Sequence, residues 1–68
     1  MHVLVELLPR NQNRTVELPS GSTGLDLVKA LGLAPDAHIL ARGDVPFPID
    51  EPVRDGETVR VIQVVSGG

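Results

Sequence analysis

Apolar side chains alternate with others along residues 1–8 (MHVLVELL). Val3, Val5 and Leu7 fall on one side and His2, Leu4, Glu6 and Leu8 on the other, which is the two-residue period of a β-strand. Residues 9–13 (PRNQN) tolerate tight backbone geometry and predict a turn. In residues 14–18, Val16 and Leu18 share one face and Thr15 and Glu17 the other, so the two segments predict a hairpin. Pro19, Ser20 and Gly21 break the pattern. Thr23 followed by Asp26 then predicts a helix start of the capping-box type, with Leu27, Val28 and Leu31 at helical spacing. Gly32 supplies a left-handed stop and Pro35 prevents continuation, so the helix is short.

A third strand is predicted over residues 37–42, with Ile39 and Ala41 opposed to His38 and Leu40. After the Gly43-Asp44 turn comes VPFPIDEP, in which Pro46, Pro48 and Pro52 allow only a short pairing at a sheet edge. Asp55-Gly56 is a turn pair leading into residues 58–65, the most β-prone stretch. Strands, one helix, then further strands predict an α+β domain: a mixed sheet of four to five strands with one main helix across one face. The expected core is Val3, Val5, Val16, Leu18, Leu27, Leu31, Ile39, Val59 and Val61. Alternation then sends Leu4, Ile62 and Val64 to the opposite, open face, with Arg60 beside them, as a candidate partner-docking patch.

Composition narrows the picture. Sixty-eight residues form one domain, near the lower size limit for folding without a metal or disulfide, and there is no Cys. No apolar run approaches the roughly 20 residues of a membrane span, and Met1 leads straight into patterned sequence. A cytoplasmic protein without membrane contact is expected. A net charge of −3 without a Lys/Arg cluster argues against direct nucleic-acid binding and toward a partner with a basic surface.

Few residues offer chemistry of their own. His2 and His38 are isolated in sequence and form no zinc pattern, so no metal site is expected and both read as surface or packing residues. Gly21 and Gly24 lack the Lys-Ser/Thr ending of a phosphate loop and read as helix entry. Asp50, Glu51, Asp55 and Glu57 make an acidic turn region, read either as solvated or as electrostatic guidance for a basic partner. Lys29 is the only lysine and hence the only possible side-chain amine acceptor for conjugation of the protein to itself. The chain closes on QVVSGG, and Gly67 and Gly68 contribute nothing to a strand or a cap.

The β-strand and helix order, the segment TGLDLVKALGL and above all VRDGETVRVIQVVSGG resemble the ubiquitin-like sulfur carriers, a family that includes the thiamin and molybdopterin carriers and the archaeal small modifier proteins. The similarity spans the whole chain and is strongest, toward the archaeal modifiers, from Val53 onward. Two local departures stand out: Gly24 follows the capping Thr where the family often has an apolar residue, and VPFPID is longer and richer in Pro. The resemblance implies a β-grasp domain over residues 1–65 and a flexible arm over residues 66–68. It further implies that the Gly68 carboxylate, reached through Gly67, is adenylated with ATP by an activating enzyme of the ubiquitin-activating type. Attack by sulfur would give a thiocarboxylate for tRNA thiolation or for molybdopterin or thiamin synthesis. Attack by a lysine amine of a target protein would give an isopeptide bond.

The chemistry of the residues agrees. A carboxylate must be activated before acyl transfer is fast, and two residues without Cβ let the backbone enter a narrow channel. By this reading the protein is a monomeric carrier and not an enzyme, binds no cofactor itself, and meets an adenylating partner and a sulfur donor or acceptor enzyme. A noncatalytic β-grasp interaction module, with incidental glycines, is the remaining alternative.

Overall fold

The computed structural model describes residues 1–64. In chain order the elements are β1 (His2–Leu8), β2 (Gln12–Glu17), α1 (Gly24–Ala30), a 3₁₀ turn (Pro35–Ala37), β3 (His38–Arg42), β4 (Val45–Phe47) and β5 (Thr58–Gln63). The sheet order is β2-β1-β5-β3-β4. β1 and β5 run parallel at its centre, and the other neighbours are antiparallel. This mixed five-stranded sheet with one helix is the α+β architecture predicted from the pattern.

The start of α1 is closed by an unusually complete set of donors and acceptors. A helix leaves its first four N–H groups without helical partners. Here the Thr23 N–H donates to Asp26 Oδ2 at 2.9 Å and the Asp26 N–H to Thr23 Oγ1 at 3.4 Å, a reciprocal capping box. The two amides between them donate to the loop that follows β4: Gly24 to the Glu51 carbonyl at 3.0 Å and Leu25 to the Ile49 carbonyl at 2.7 Å. At the other end Gly32 adopts a φ of +74°, and the bonds Gly32 N–H to Lys29 O and Leu33 N–H to Val28 O form a Schellman stop.

The core lies between α1 and one face of the sheet. Val3, Val5, Leu27, Val28, Leu40, Val59 and Val61 are at most 1% exposed, and Leu7, Leu18, Phe47 and Val53 join them. Val16 and Leu31 are half-buried and pack against the margin of this cluster. The expected placement of Ile39 is corrected: it is 44% exposed, and Leu40 takes the core position. The register explains the reversal. Ile39 lies opposite Ile62 and Leu40 opposite Val61, so once Val59 and Val61 face the helix, Ile39 must face away. Ala41 shares the outward side with Ile39, although it is buried.

Gly24 belongs to the same packing. A Cβ at this position would stand 2.4 Å from Leu40 Cδ1 and 3.2 Å from the Ile49 carbonyl oxygen. The two local departures of the sequence are therefore one feature: the Pro-rich segment lies against the helix start, and only a residue without a side chain leaves room for it. β2 begins two residues earlier than predicted, within the segment expected to turn. β5 is described as far as Gln63, and the predicted continuation to residue 65 lies outside the described residues.

Candidate functional site

The sheet face away from α1 is organised in rows that cross the strands. One row aligns Leu8, Ile62 and Ile39 on β1, β5 and β3. The next aligns Glu6, Arg60, Ala41 and Pro46. A third holds Thr15, Leu4 and Thr58, with Leu4 45% exposed. Val64 extends the first side of this face, its N–H donating to the Ala37 carbonyl at 2.9 Å.

The structure thus places Leu4, Arg60, Ile62 and Val64 on one open face but separates Leu4 from Ile62 by a row of charge. Arg60 spans that row. Its Nε lies 3.5 Å from Glu6 Oε1, and its Nη1 donates to Asp44 Oδ1 at 3.3 Å. Ala41, the register partner of Arg60 on β3, is only 3% exposed although it faces away from the helix. Ile39 and Leu8 also line the face. Leu8 was visible from the alternation of β1, whereas Ile39 was misplaced because residues 37–42 carry apolar side chains on both faces.

The acidic turn region turns out to be occupied within the fold. Arg42, on the helix side of β3, reaches Glu57 through Nε at 2.6 Å, Glu51 through Nη1 and the Pro52 carbonyl through Nη2 at 2.9 Å. Its guanidinium carbon also sits 4.1 Å from the centroid of the Phe47 ring. The hydrogen bonds that Arg42 donates to Glu57 and then to Glu51 raise its pKa further above its already high value. For Glu57, burial alone pushes the carboxyl up, but the Arg42 side chain and the Arg54 N–H together outweigh it and hold the group below its ordinary value. Asp55 accepts the His2 N–H at 2.8 Å. Three of the four acids therefore fasten the loop and the β1 edge, and Asp50 remains exposed.

The other sequence candidates are dispersed. His2 Nε2 lies 3.2 Å from Glu17, and His38 Nδ1 lies 2.8 Å from the Ala34 carbonyl. Among the described residues, no group of three or more acids, His or Cys is placed to hold a metal ion. Lys29 is exposed near the end of α1. With all four leading amides of the helix engaged, its start has no donors to offer a phosphate. Among the described residues no helix is long and apolar enough to cross a membrane. Gly67, Gly68 and the proposed arm lie outside the described residues.

Comparison with known proteins agrees with this geometry. Over its full length the chain is 28% identical to a Thermus thermophilus protein described as sulfur carrier protein TtuB, covering all of both chains. It is 31% identical over 49 residues, 72% of each chain, to an uncharacterized protein of Archaeoglobus fulgidus. The crystal structure of SAMP1 from Haloferax volcanii superposes over the whole of both chains with a TM-score of 0.76 at 18% identity, which establishes the shared β-grasp fold. The family model described as small archaeal modifier protein 2 matches residues 1–65, and the chain belongs to that family of ubiquitin-like sulfur carriers and modifiers.

Proposed function

We propose that the protein is a sulfur carrier whose Gly68 carboxylate is activated by a separate, ATP-dependent adenylating enzyme of the ubiquitin-activating type. The family match over residues 1–65 is the observation that carries this reading. Full-length similarity to a protein described as a sulfur carrier favours sulfur as the cargo. In the first step a carboxylate oxygen attacks the α-phosphorus of ATP and pyrophosphate leaves. Sulfur at the level of hydrosulfide, supplied by a donor enzyme, then attacks the carbonyl carbon. The bond to AMP breaks, and Gly68 carries a thiocarboxylate. Gly67 and Gly68 suit this role because neither widens the segment with a Cβ.

The carrier itself performs no catalysis and holds no cofactor; ATP is the partner's substrate. Its sulfur would go to tRNA thiolation or to molybdopterin or thiamin synthesis, in the cytoplasm and with the carrier as a monomer. The open face, with Leu4, Arg60, Ile62 and Val64, is the surface through which the adenylating enzyme would hold the domain.

The family description also favours a second outcome, conjugation. A lysine amine of a target protein attacks the activated carbonyl, the leaving group departs and an isopeptide bond forms through Gly68. Lys29, as the only lysine, is then the only side-chain acceptor for self-conjugation, and Lys29→Arg abolishes side-chain-linked polymers. Mass spectrometry of the C-terminal peptide, after incubation with ATP, the adenylating enzyme and a sulfur donor, tests the first reading: one oxygen is replaced by sulfur. A Gly-Gly remnant on lysines of cellular proteins tests the second. If neither appears and deletion of Gly68 leaves function intact, the protein is an interaction module instead.

A further inference from the structure

The two edges of the sheet are unlike. β4 is three residues long, and Pro46 at its centre has no N–H to offer a further strand. β2 runs for six residues without Pro, Lys or a bulge and stands last in the sheet order. Its register tells which backbone groups are uncovered. Met1 and Leu18 bond to each other both ways, at 2.7 and 2.9 Å, while the Leu4 N–H donates to the Glu57 carbonyl just before β5 at 2.9 Å. Alternation then turns the backbone groups of Arg14 and Val16 toward β1 and leaves the N–H and C=O groups of Asn13, Thr15 and Glu17 pointing out from the edge. Such a row is a template for one more strand.

In an antiparallel addition, Arg14 and Val16 occupy the positions where opposed side chains come closest, both on the helix side of the sheet. Val16 is half-buried at the margin of the core, so an apolar residue opposite it completes its burial. Arg14 is exposed and makes no ion pair among the described residues, and exposed Arg10 in the preceding turn adds charge of the same sign. An acid opposite Arg14 complements both. A second copy of the chain fits less well. The register that pairs outward groups with outward groups, centred on Thr15, would leave the two Arg14 side chains one diagonal step of about 7–8 Å apart.

We propose that the outer edge of β2 binds an extended segment of a partner protein, added antiparallel, with an apolar residue opposite Val16 and an acidic residue two positions later opposite Arg14. The backbone bonds supply affinity, and the Val16 and Arg14 side chains supply sequence preference and direction. This edge is separate from the chemistry of the C-terminus, so the inference does not depend on the carrier reading.

The test titrates the capped peptide SVTVTETS into the isotope-labelled full chain and follows amide shifts and hydrogen exchange by NMR. The Asn13, Thr15 and Glu17 amides shift saturably and gain protection. The peptide SVTVTKTS binds about fivefold more weakly at low salt, since it exchanges an attraction for a repulsion, and the difference shrinks at high salt. Arg14→Glu reverses the order of the two peptides. Thr15→Pro removes the central outward donor from the solvent side of an edge strand, where Pro is tolerated, and abolishes binding of both; should it not fold, the Arg14→Glu reversal decides alone. Saturable shifts confined to other residues, no saturation at all, or equal binding of the two peptides by parent and Arg14→Glu overturns the inference. So does a parent that sediments as a dimer with those three amides already protected, because the edge then belongs to a second copy.

Discussion

The two faces of the sheet are built from the same strands and obey opposite rules. β1 sends Val3, Val5 and Leu7 toward α1 and Leu4, Glu6 and Leu8 away from it; β5 sends Val59 and Val61 one way and Thr58, Arg60 and Ile62 the other. Toward the helix, five strand side chains (Val3, Val5, Leu40, Val59 and Val61) are at most 1% exposed against Leu27 and Val28 of α1, and their fit is decided by volume. On the open side, apolar and charged rows alternate, and Leu4 and Ile39 each keep over 40% of their surface in water. Apolar surface that the fold does not bury adds little to stability, so changes on this side should cost far less than changes toward the helix.

Leu27→Ala tests the contrast where it is strongest. Leu27 is fully buried between α1 and the central strands, and truncation should cost about 2–5 kcal/mol, through lost transfer energy and the cavity left behind. In a domain of this size, each kcal/mol lowers the melting temperature by roughly 4–8 °C, so calorimetry should record a fall of roughly 10 °C or more. Leu4→Ala removes the same atoms from the open face and should cost less than about 1 kcal/mol. Equal losses would mean that the two faces share one structural role.

Gly24→Ala adds rather than removes volume on the helix side. The new methyl meets Leu40 Cδ1 and the Ile49 backbone, and overpacking of this kind costs about 1–3 kcal/mol. Shortening the obstructing side chain with Leu40→Val should recover part of the loss, so the double variant is more stable than the sum of the two single changes predicts. Strict additivity in denaturant titrations would show that Leu40 is not the obstacle and that the Ile49 loop moves instead.

Much of this contrast was legible in the sequence. Strict alternation in β1 and in residues 59–61 identified both faces, and the Thr23–Asp26 spacing located the helix start. Ile39 was misread because HILA offers apolar residues on either side; only its pairing with Ile62 decides which side is buried. The charged row was out of reach for a related reason. Glu6, Arg60 and Asp44 are far apart in sequence; the parallel β1·β5 register brings Glu6 to Arg60, and the antiparallel β3·β5 register brings in the turn that holds Asp44. Arg42 likewise gave no sign that Glu51 and Glu57 would be engaged within the fold. The proposed reactive end was legible only as residue type, from the absence of side chains at Gly67 and Gly68.

Acid titration sharpens the comparison at the edge of the core. Glu57 has a folded pKa below its unfolded value of about 4.5, so its contribution is present above that pH and is lost as pH falls through the folded pKa. Arg42 stays charged throughout and adds no titration of its own. Glu57→Gln should cost about 1–2 kcal/mol at pH 7, where the parent makes a charge-assisted bond. The gap between parent and variant should close as pH falls through the folded pKa of Glu57, because protonated Glu57 and Gln are then equivalent in charge. A gap that persists unchanged once the Glu57 carboxyl is protonated in the folded protein would assign the cost to packing.

The smallest effect is expected at Ile39, and it bears most directly on why the open face is apolar. Ile39→Thr keeps the β-branch that suits a strand and exchanges a large apolar side chain for a polar one. The parent side chain is 44% exposed, so little transfer energy is at stake, and folding stability should change by less than about 0.5 kcal/mol in either direction. The backbone pairing with Ile62 is retained, so amide exchange protection along β3 and β5 should match the parent. A carrier equally stable but weaker in saturating its adenylating partner would place the value of Ile39 in recognition. A loss above about 1.5 kcal/mol would instead mean that Ile39 and Ile62 stabilise the central strands as a cross-strand pair beyond the usual range of such contacts.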